Sequence, residues 1–178
     1  MAFPPAGQVV IVVLMGVTGV GKTTVGQLVA QDLDWDFLDA DDFHPAANVA
    51  KMRAGIPLND VDRDPWLSAL RTDIDARLSR GDAAVLACSA LKQAYRDRLH
   101  ASEAVRFVHL RGDAALIRER LLARSGHYMD PGLLTSQFAA LEEPEGVVTV
   151  DVAATPREIA SRLEAELGLR ASGGSDRA

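Results

Sequence analysis

Gly16-Val17-Thr18-Gly19-Val20-Gly21-Lys22-Thr23 satisfies the pattern G-x-x-x-x-G-K-[ST] in full, and its flanks decide how it folds. Upstream, Val9 to Met15 is a short, continuous, β-branched apolar run, the signature of a strand buried on both faces. Downstream, Val25, Leu28, Val29 and Leu33 fall at helical spacing and predict a helix from about Lys22 to Leu33. Between a strand and a helix, the motif is a phosphate cradle. Its glycines let successive backbone N–H groups turn inward, and the helix N-terminus adds positive potential where polyphosphate lies. Gly16, Val17, Thr18, Gly19, Val20, Gly21 and Thr24 are expected to surround the phosphates. Lys22 should reach the β- and γ-phosphates, and Thr23 should place its hydroxyl on Mg²⁺.

Outward from this loop the chain alternates strands and helices, which implies an α/β fold: a five-stranded parallel sheet with helices on both faces and right-handed crossovers. Trp35 to Leu38 reads as the second strand and ends in the acids Asp39, Asp41 and Asp42. His44 to Asp64 mixes a short helix (46–54) with Gly55, Pro57 and Asn59, an excursion suited to substrate contacts. Asp64 and Pro65 read as N-cap and first turn of a helix striped by Leu67, Leu70, Ile74 and Leu78 and ending near Gly81. Ala83 to Cys88, Val105 to Leu110 and Val147 to Val152 complete the strands. Further helices are expected over 93–100, after Asp113, over 133–141 and after the capping box at Thr155 and Glu158. Residues 125–132, rich in Gly, Asp and Pro, suit a flexible lid, and 171–178 suit a disordered tail after a single domain of 1–170.

Composition narrows the partners. In 178 residues, 19 Lys plus Arg stand against 25 Asp plus Glu, a net charge of −6 that argues against a nucleic-acid backbone binder. The longest apolar run has seven residues, Val9 to Met15, far short of the ~20 that span a bilayer, so no membrane association is expected. Cys88 is the sole cysteine, which excludes an internal disulfide and fits a reducing, cytoplasmic setting. We read it as a small buried hydrophobe. No Asn-Lys-x-Asp or Asp-x-x-Gly element supports a guanine-nucleotide switch.

Asp39 and Asp41 at the tip of strand two are expected near the γ-phosphate, as alternate residues pointing the same way. We assign Asp39 to Mg²⁺ through water and Asp41 to the acceptor hydroxyl as catalytic base, an order the sequence leaves open. Capping of the following helix is the competing reading, and for Asp42 the favoured one.

The blocks Asp39-Ala40-Asp41-Asp42-Phe43-His44-Pro45, Asn48, Lys51-Met52, Gly55-Ile56-Pro57-Leu58-Asn59-Asp60 and Asp62-Arg63-Asp64-Pro65-Trp66-Leu67 resemble the consecutive signatures of the gluconate kinase family. So do Cys88-Ser89-Ala90-Leu91-Lys92, Tyr95-Arg96-Asp97, Gly126-His127-Tyr128-Met129, Ser136-Gln137-Phe138 and Leu141-Glu142, a resemblance running from about residue 10 to 165. It implies a P-loop kinase that uses ATP and Mg²⁺ to phosphorylate the 6-hydroxyl of D-gluconate, and it implies a homodimer. A kinase for another small hydroxy acid, such as shikimate, is the alternative. A sugar acid needs a carboxylate clamp, for which Arg53 and Arg63 are candidates, and Arg is suited by its bidentate fork. A surface salt bridge is the competing reading of Arg53. His44, Lys92, His127 and Gln137 are candidates for hydrogen bonds to substrate, with backbone help from Ser89 and Ala90; His100 and His109 read as structural. Arg120 and Arg124, four apart on one helix face, are expected to meet adenine and the transferring phosphoryl group, respectively.

Overall fold

The computed structural model describes residues 10–123 and 131–169. Five parallel strands, β1 (Ile11–Met15), β2 (Asp36–Asp39), β3 (Ala84–Ala87), β4 (Val105–Arg111) and β5 (Val148–Asp151), run in the order β2-β3-β1-β4-β5. β1 lies at the centre, pairing Ile11 with Ala84 on one side and with Val105 on the other. All five of its side chains are fully buried, each contributing roughly 1.5–3 kcal/mol of apolar burial.

Alternation along β1 divides the core between the two faces of the sheet. Val12 and Leu14 pack with α1 (Lys22–Leu33), α5 (Ala114–Ala123) and α7 (Pro156–Leu167) through Val25, Val29, Ile117, Ile159 and Leu163. Ile11, Val13 and Met15 pack with α3 (Asp60–Arg80) and α4 (Gln93–Leu99) through Trp66, Leu70, Ile74, Tyr95 and Leu99. The expected sheet with helices on both faces is the observed one. Connecting these are a 3-10 turn at Ala40–Phe43, α2 (Ala46–Arg53) and α6 (Pro131–Ala140).

Three local expectations are corrected. Helix α3 begins at Asp60, not at Asp64 and Pro65, because Asn59 and Asp62 form a reciprocal capping box that satisfies the first N–H groups a turn earlier. Pro65 therefore lies inside the helix. Asp41 is not on a strand: β2 ends at Asp39, and Asp41 sits in the 3-10 turn that Asp39 caps. Asp42 caps no helix, since α2 starts at Ala46 with Pro45 at the N-cap position and no side-chain cap. The Thr155–Glu158 capping box forms as expected, and Gly168 ends α7 in a left-handed conformation. Of the expected lid, Pro131 and Gly132 belong to α6, whereas Ser125 to Asp130 and the tail lie outside the described residues.

Candidate active site

The glycine loop leaves the C-terminal end of β1 with Gly16 at φ 138° and its N–H donating to Ser89 O at 3.2 Å. A Cβ on Gly16 would stand 2.6 Å from Leu110 O, so the loop can pass between β4 and the segment after β3 only without a side chain. Lys22 curls over the loop, donating Nζ to Gly16 O at 2.9 Å and Val17 O at 3.0 Å. Burial lowers its pKa, and Cys88, Asp41 and Asp39 oppose that shift. Buried Cys88 itself is pushed up to about 12, an inert thiol, in line with its reading as a small hydrophobe.

At the mouth of the loop, Asp39 ties three elements together. Its Oδ2 accepts from Thr23 Oγ1 at 3.3 Å and its Oδ1 from the Asp41 N–H at 3.1 Å. The hydroxyl and carboxylate predicted to hold a metal thus meet, and exposed Thr24 follows on the first turn of α1. Among the described residues no cluster of three or more His, Cys, Asp or Glu forms a metal cage. Thr23 and Asp39 suit Mg²⁺, which takes one or two protein oxygens and completes its shell with phosphate and water.

Asp41 is exposed in the 3-10 turn that Asp39 caps. Burial raises its carboxyl pKa, neighbouring Asp39 raises it further, and His44 and Lys22 pull it back. A carboxylate tuned upward beside a phosphate loop is fit to take a hydroxyl proton. His44 is the next link: burial lowers its pKa, as does Arg63, against the pull of Asp41, so it is neutral at physiological pH. Its ring stacks on Trp66 at 4.7 Å, and Asn48 Nδ2 lies 3.4 Å from its Nδ1.

Further along, Arg63, Lys92, Tyr95 and Asp60 form one cluster. Arg63 and Lys92 lie over the Tyr95 ring, 5.9 and 5.5 Å from its centroid, and both pair with Asp60. Buried Arg96 fixes the approach to Lys92 by donating to the carbonyls of Ala90, Leu91 and Glu142. Ala90 there holds φ +41°, a strained left-handed conformation of the kind that collects at functional sites.

Not every predicted residue joins this row. Arg53 is exposed at the end of α2 and forms no ion pair among the described residues. Gln137 reaches the phosphate loop, its Oε1 accepting from the Thr18 N–H at 2.6 Å. Arg120 lies on α5 with Nη2 3.5 Å from Ala154 O, beside the turn after β5. Arg124 and His127 fall outside the described residues. His109 is buried in β4 and His100 follows α4, both away from the cluster, as expected of structural histidines. Sequence reasoning missed Tyr95, Asp60, Asn48 and Trp66 as builders of the site. No local motif assigns them a role; only their place within the signature blocks marked them.

A family model described as an AAA domain matches residues 11–144. A probable gluconokinase of Xenopus tropicalis is 43% identical over 176 residues, covering 88% of this chain and 93% of that relative. The chain belongs to the gluconokinase family. Among solved structures, a gluconokinase from Sinorhizobium meliloti 1021 superposes with a TM-score of 0.81 at 42% identity, over 90% of this chain and 92% of that one. An unliganded sugar kinase from Janibacter sp. HTCC2649 gives 0.84 at 41%, over 90% and 95%. The resemblance in the signature blocks is thereby established, with its P-loop kinase fold, and the chain is a kinase.

Proposed function

We propose that this kinase transfers the γ-phosphoryl group of Mg²⁺-ATP to the 6-hydroxyl of D-gluconate, giving 6-phosphogluconate. The observation that carries the reading is the continuous row from Lys22 through Asp39, Asp41 and His44 to Arg63 and Lys92. Phosphate-binding groups stand at one end and cations for an acid at the other.

In this reading Lys22 and the loop N–H groups bind the β- and γ-phosphates while Thr23 and Asp39 hold the Mg²⁺ site. Asp41 accepts the proton of the attacking hydroxyl, and in-line transfer follows with charge spread over the γ-phosphoryl oxygens. His44 and Lys92 orient the polyol, Arg63 meets its carboxylate, Arg53 and His127 are further substrate contacts, and Gln137 braces the phosphate loop through Thr18. Arg120 takes the adenine side, and Arg124, next to the expected lid, stabilises the transferring group. Family membership supports a homodimer, and the single buried thiol supports a cytoplasmic setting. No described helix is long and apolar enough to cross a membrane.

A coupled assay of ADP release across gluconate, shikimate and related sugar acids, with ³¹P NMR of the product, tests the proposal. ADP release with gluconate and a 6-phosphate product are expected. Turnover of another acid and none with gluconate would move the substrate assignment.

A further inference from the structure

The carboxylate of Asp60 is held as a ligand would be. Lys92 Nζ reaches both of its oxygens, at 2.8 and 2.9 Å, the Tyr95 hydroxyl donates to Oδ1, and the Arg63 guanidinium stands 3.7 Å away. An ammonium, a phenol and a guanidinium converging on one carboxylate make an acid-binding seat. Its occupant is a poor structural anchor: the Asp60 side chain is 63% exposed, on the first turn of α3, where water can replace its partners as it turns out.

The seat has room for one carboxylate. Tyr95 has a single proton to donate and gives it to Asp60, and Lys92 spends its charge on the same two oxygens. A second carboxylate arriving with Asp60 in place would find Arg63 and at most one remaining Lys92 N–H, beside a carboxylate of like charge. Exchange of one carboxylate for another leaves the charge balance of the cluster unchanged. His44 is within electrostatic reach of both Asp41 and the Arg63 of this seat, and so links the two. A polyol with its reacting hydroxyl at Asp41 and an acid at its other end matches that layout.

We propose that Asp60 is a built-in stand-in for the carboxylate of the acceptor: the substrate acid displaces it from Lys92 and Tyr95, and Tyr95 becomes a substrate-binding residue. Asp60 then sets the affinity threshold for the acid, acting as an internal competitor. The inference rests on the reading of the cleft as the site of a sugar-acid kinase.

Steady-state kinetics of Asp60→Asn, Tyr95→Phe and the control Asp64→Asn decide it. Asp64 lies on the same helix and pairs with Arg98, so it reports any general effect of removing one negative charge. The expected result for Asp60→Asn is a three- to tenfold rise in kcat/KM for gluconate carried by a lower KM. Tyr95→Phe should raise KM several-fold, and Asp64→Asn should leave it within about 1.5-fold, as expected of an exposed charge. A higher KM in Asp60→Asn would make Asp60 a positioning residue for Lys92 and overturn the proposal. An equal fall in KM in Asp64→Asn would overturn it too, by showing a diffuse charge effect. If the wild type ignores gluconate but phosphorylates another hydroxy acid, the substrate assignment fails, and the same variants measured with that acid still judge Asp60. If it phosphorylates no acid, both fall.

Discussion

Trp66 stacks on His44 with ring centroids 4.7 Å apart and planes 11° from parallel, while its Nε1 donates to Ala40 O at 2.7 Å. One buried indole thus fixes both the carbonyl that opens the turn carrying Asp41 and the imidazole beside it. Trp66→Phe keeps a ring for stacking but leaves the Ala40 carbonyl without its donor in a dry site, at a cost of about 2 kcal/mol. For a domain of this size that lowers the thermal midpoint by roughly 4–8 °C. KM for the acceptor should rise more than KM for ATP, since His44 and Asp41 shift while the phosphate loop does not. An unchanged melting curve would show that water already satisfies Ala40.

Asp41→Asn separates chemistry from stability, with opposite signs. Removing the proposed base should lower kcat by ~10²–10⁴ while ATP affinity is retained. Burial and Asp39 raise the Asp41 pKa in the folded state, so the folded protein binds this proton more tightly than the unfolded chain. The stabilisation by protonation is full below the ordinary carboxylate range and is lost as pH rises through the raised value. At pH 7 the ionised carboxylate therefore destabilises the fold. Asp41→Asn should melt at a higher temperature than wild type at pH 7, and the difference should vanish near pH ~3, where both side chains are neutral. Near-normal kcat in this variant would remove Asp41 from the base role.

How much of this was legible in the sequence follows from what each element depends on. β1 and the cradle were readable because an apolar run, a glycine pattern and a helical stripe are all local signals. The start of α3 was not, because Asn59 and Asp62 compete with Asp64 and Pro65 for the same role, and the reciprocal box wins only through its three-dimensional geometry. The place of Asp41 was misread for a related reason. Asp39 ends β2 by accepting from the Asp41 N–H, so the period-two alternation of a strand stops one residue before it would have aligned the two acids. Lys92 and Arg63 were legible as cations, but their shared partners Asp60 and Tyr95 are 35 residues apart in the chain and meet only across the α3–α4 packing. Gln137 was expected at the acceptor and is found on Thr18, 119 residues away, a pairing with no local signal.

The phosphate loop should respond unequally to alanine at its glycines. Gly19 has φ +83°, and a Cβ there would lie 2.8 and 2.9 Å from Cγ and Cδ2 of Leu121 and 3.0 Å from Cγ2 of Ile117. Gly21 has φ +101° with its nearest neighbour, Val25 Cγ2, at 4.0 Å. Both replacements incur backbone strain of about 1–2 kcal/mol, and Gly19→Ala adds overpacking of about 1–3 kcal/mol against α5. Urea denaturation should therefore rank Gly19→Ala as the less stable variant. Equal midpoints would mean that α5 gives way freely at Leu121, a result that would also loosen the placement of Arg120 one residue before it.

Asn59 connects helix capping to the acid end of the cleft. Its side chain accepts from the Asp62 N–H at 2.9 Å while its own N–H donates to Asp62 Oδ2 at 3.1 Å, and Lys51 Nζ holds Asp62 Oδ1 at 2.6 Å. The Asp62 carbonyl meanwhile accepts from buried Asn48 at 2.7 Å, so the first turn of α3 is pinned to α2 on the side that faces His44. Asp60 and Arg63 both sit on that turn. Asn59→Ala should cost about 1 kcal/mol through loss of the cap and let the turn fray. Fraying displaces Arg63 and Asp60 together and leaves the phosphate loop, on the far side of β3, in place. KM for the acid acceptor should therefore rise several-fold with KM for ATP held within about twofold, and Asn59→Ser or Asn59→Asp, which keep a capping oxygen, should restore most of the loss. Equal rises in both KM values would place the effect in global stability instead, and a melting curve taken beside the kinetics distinguishes the two.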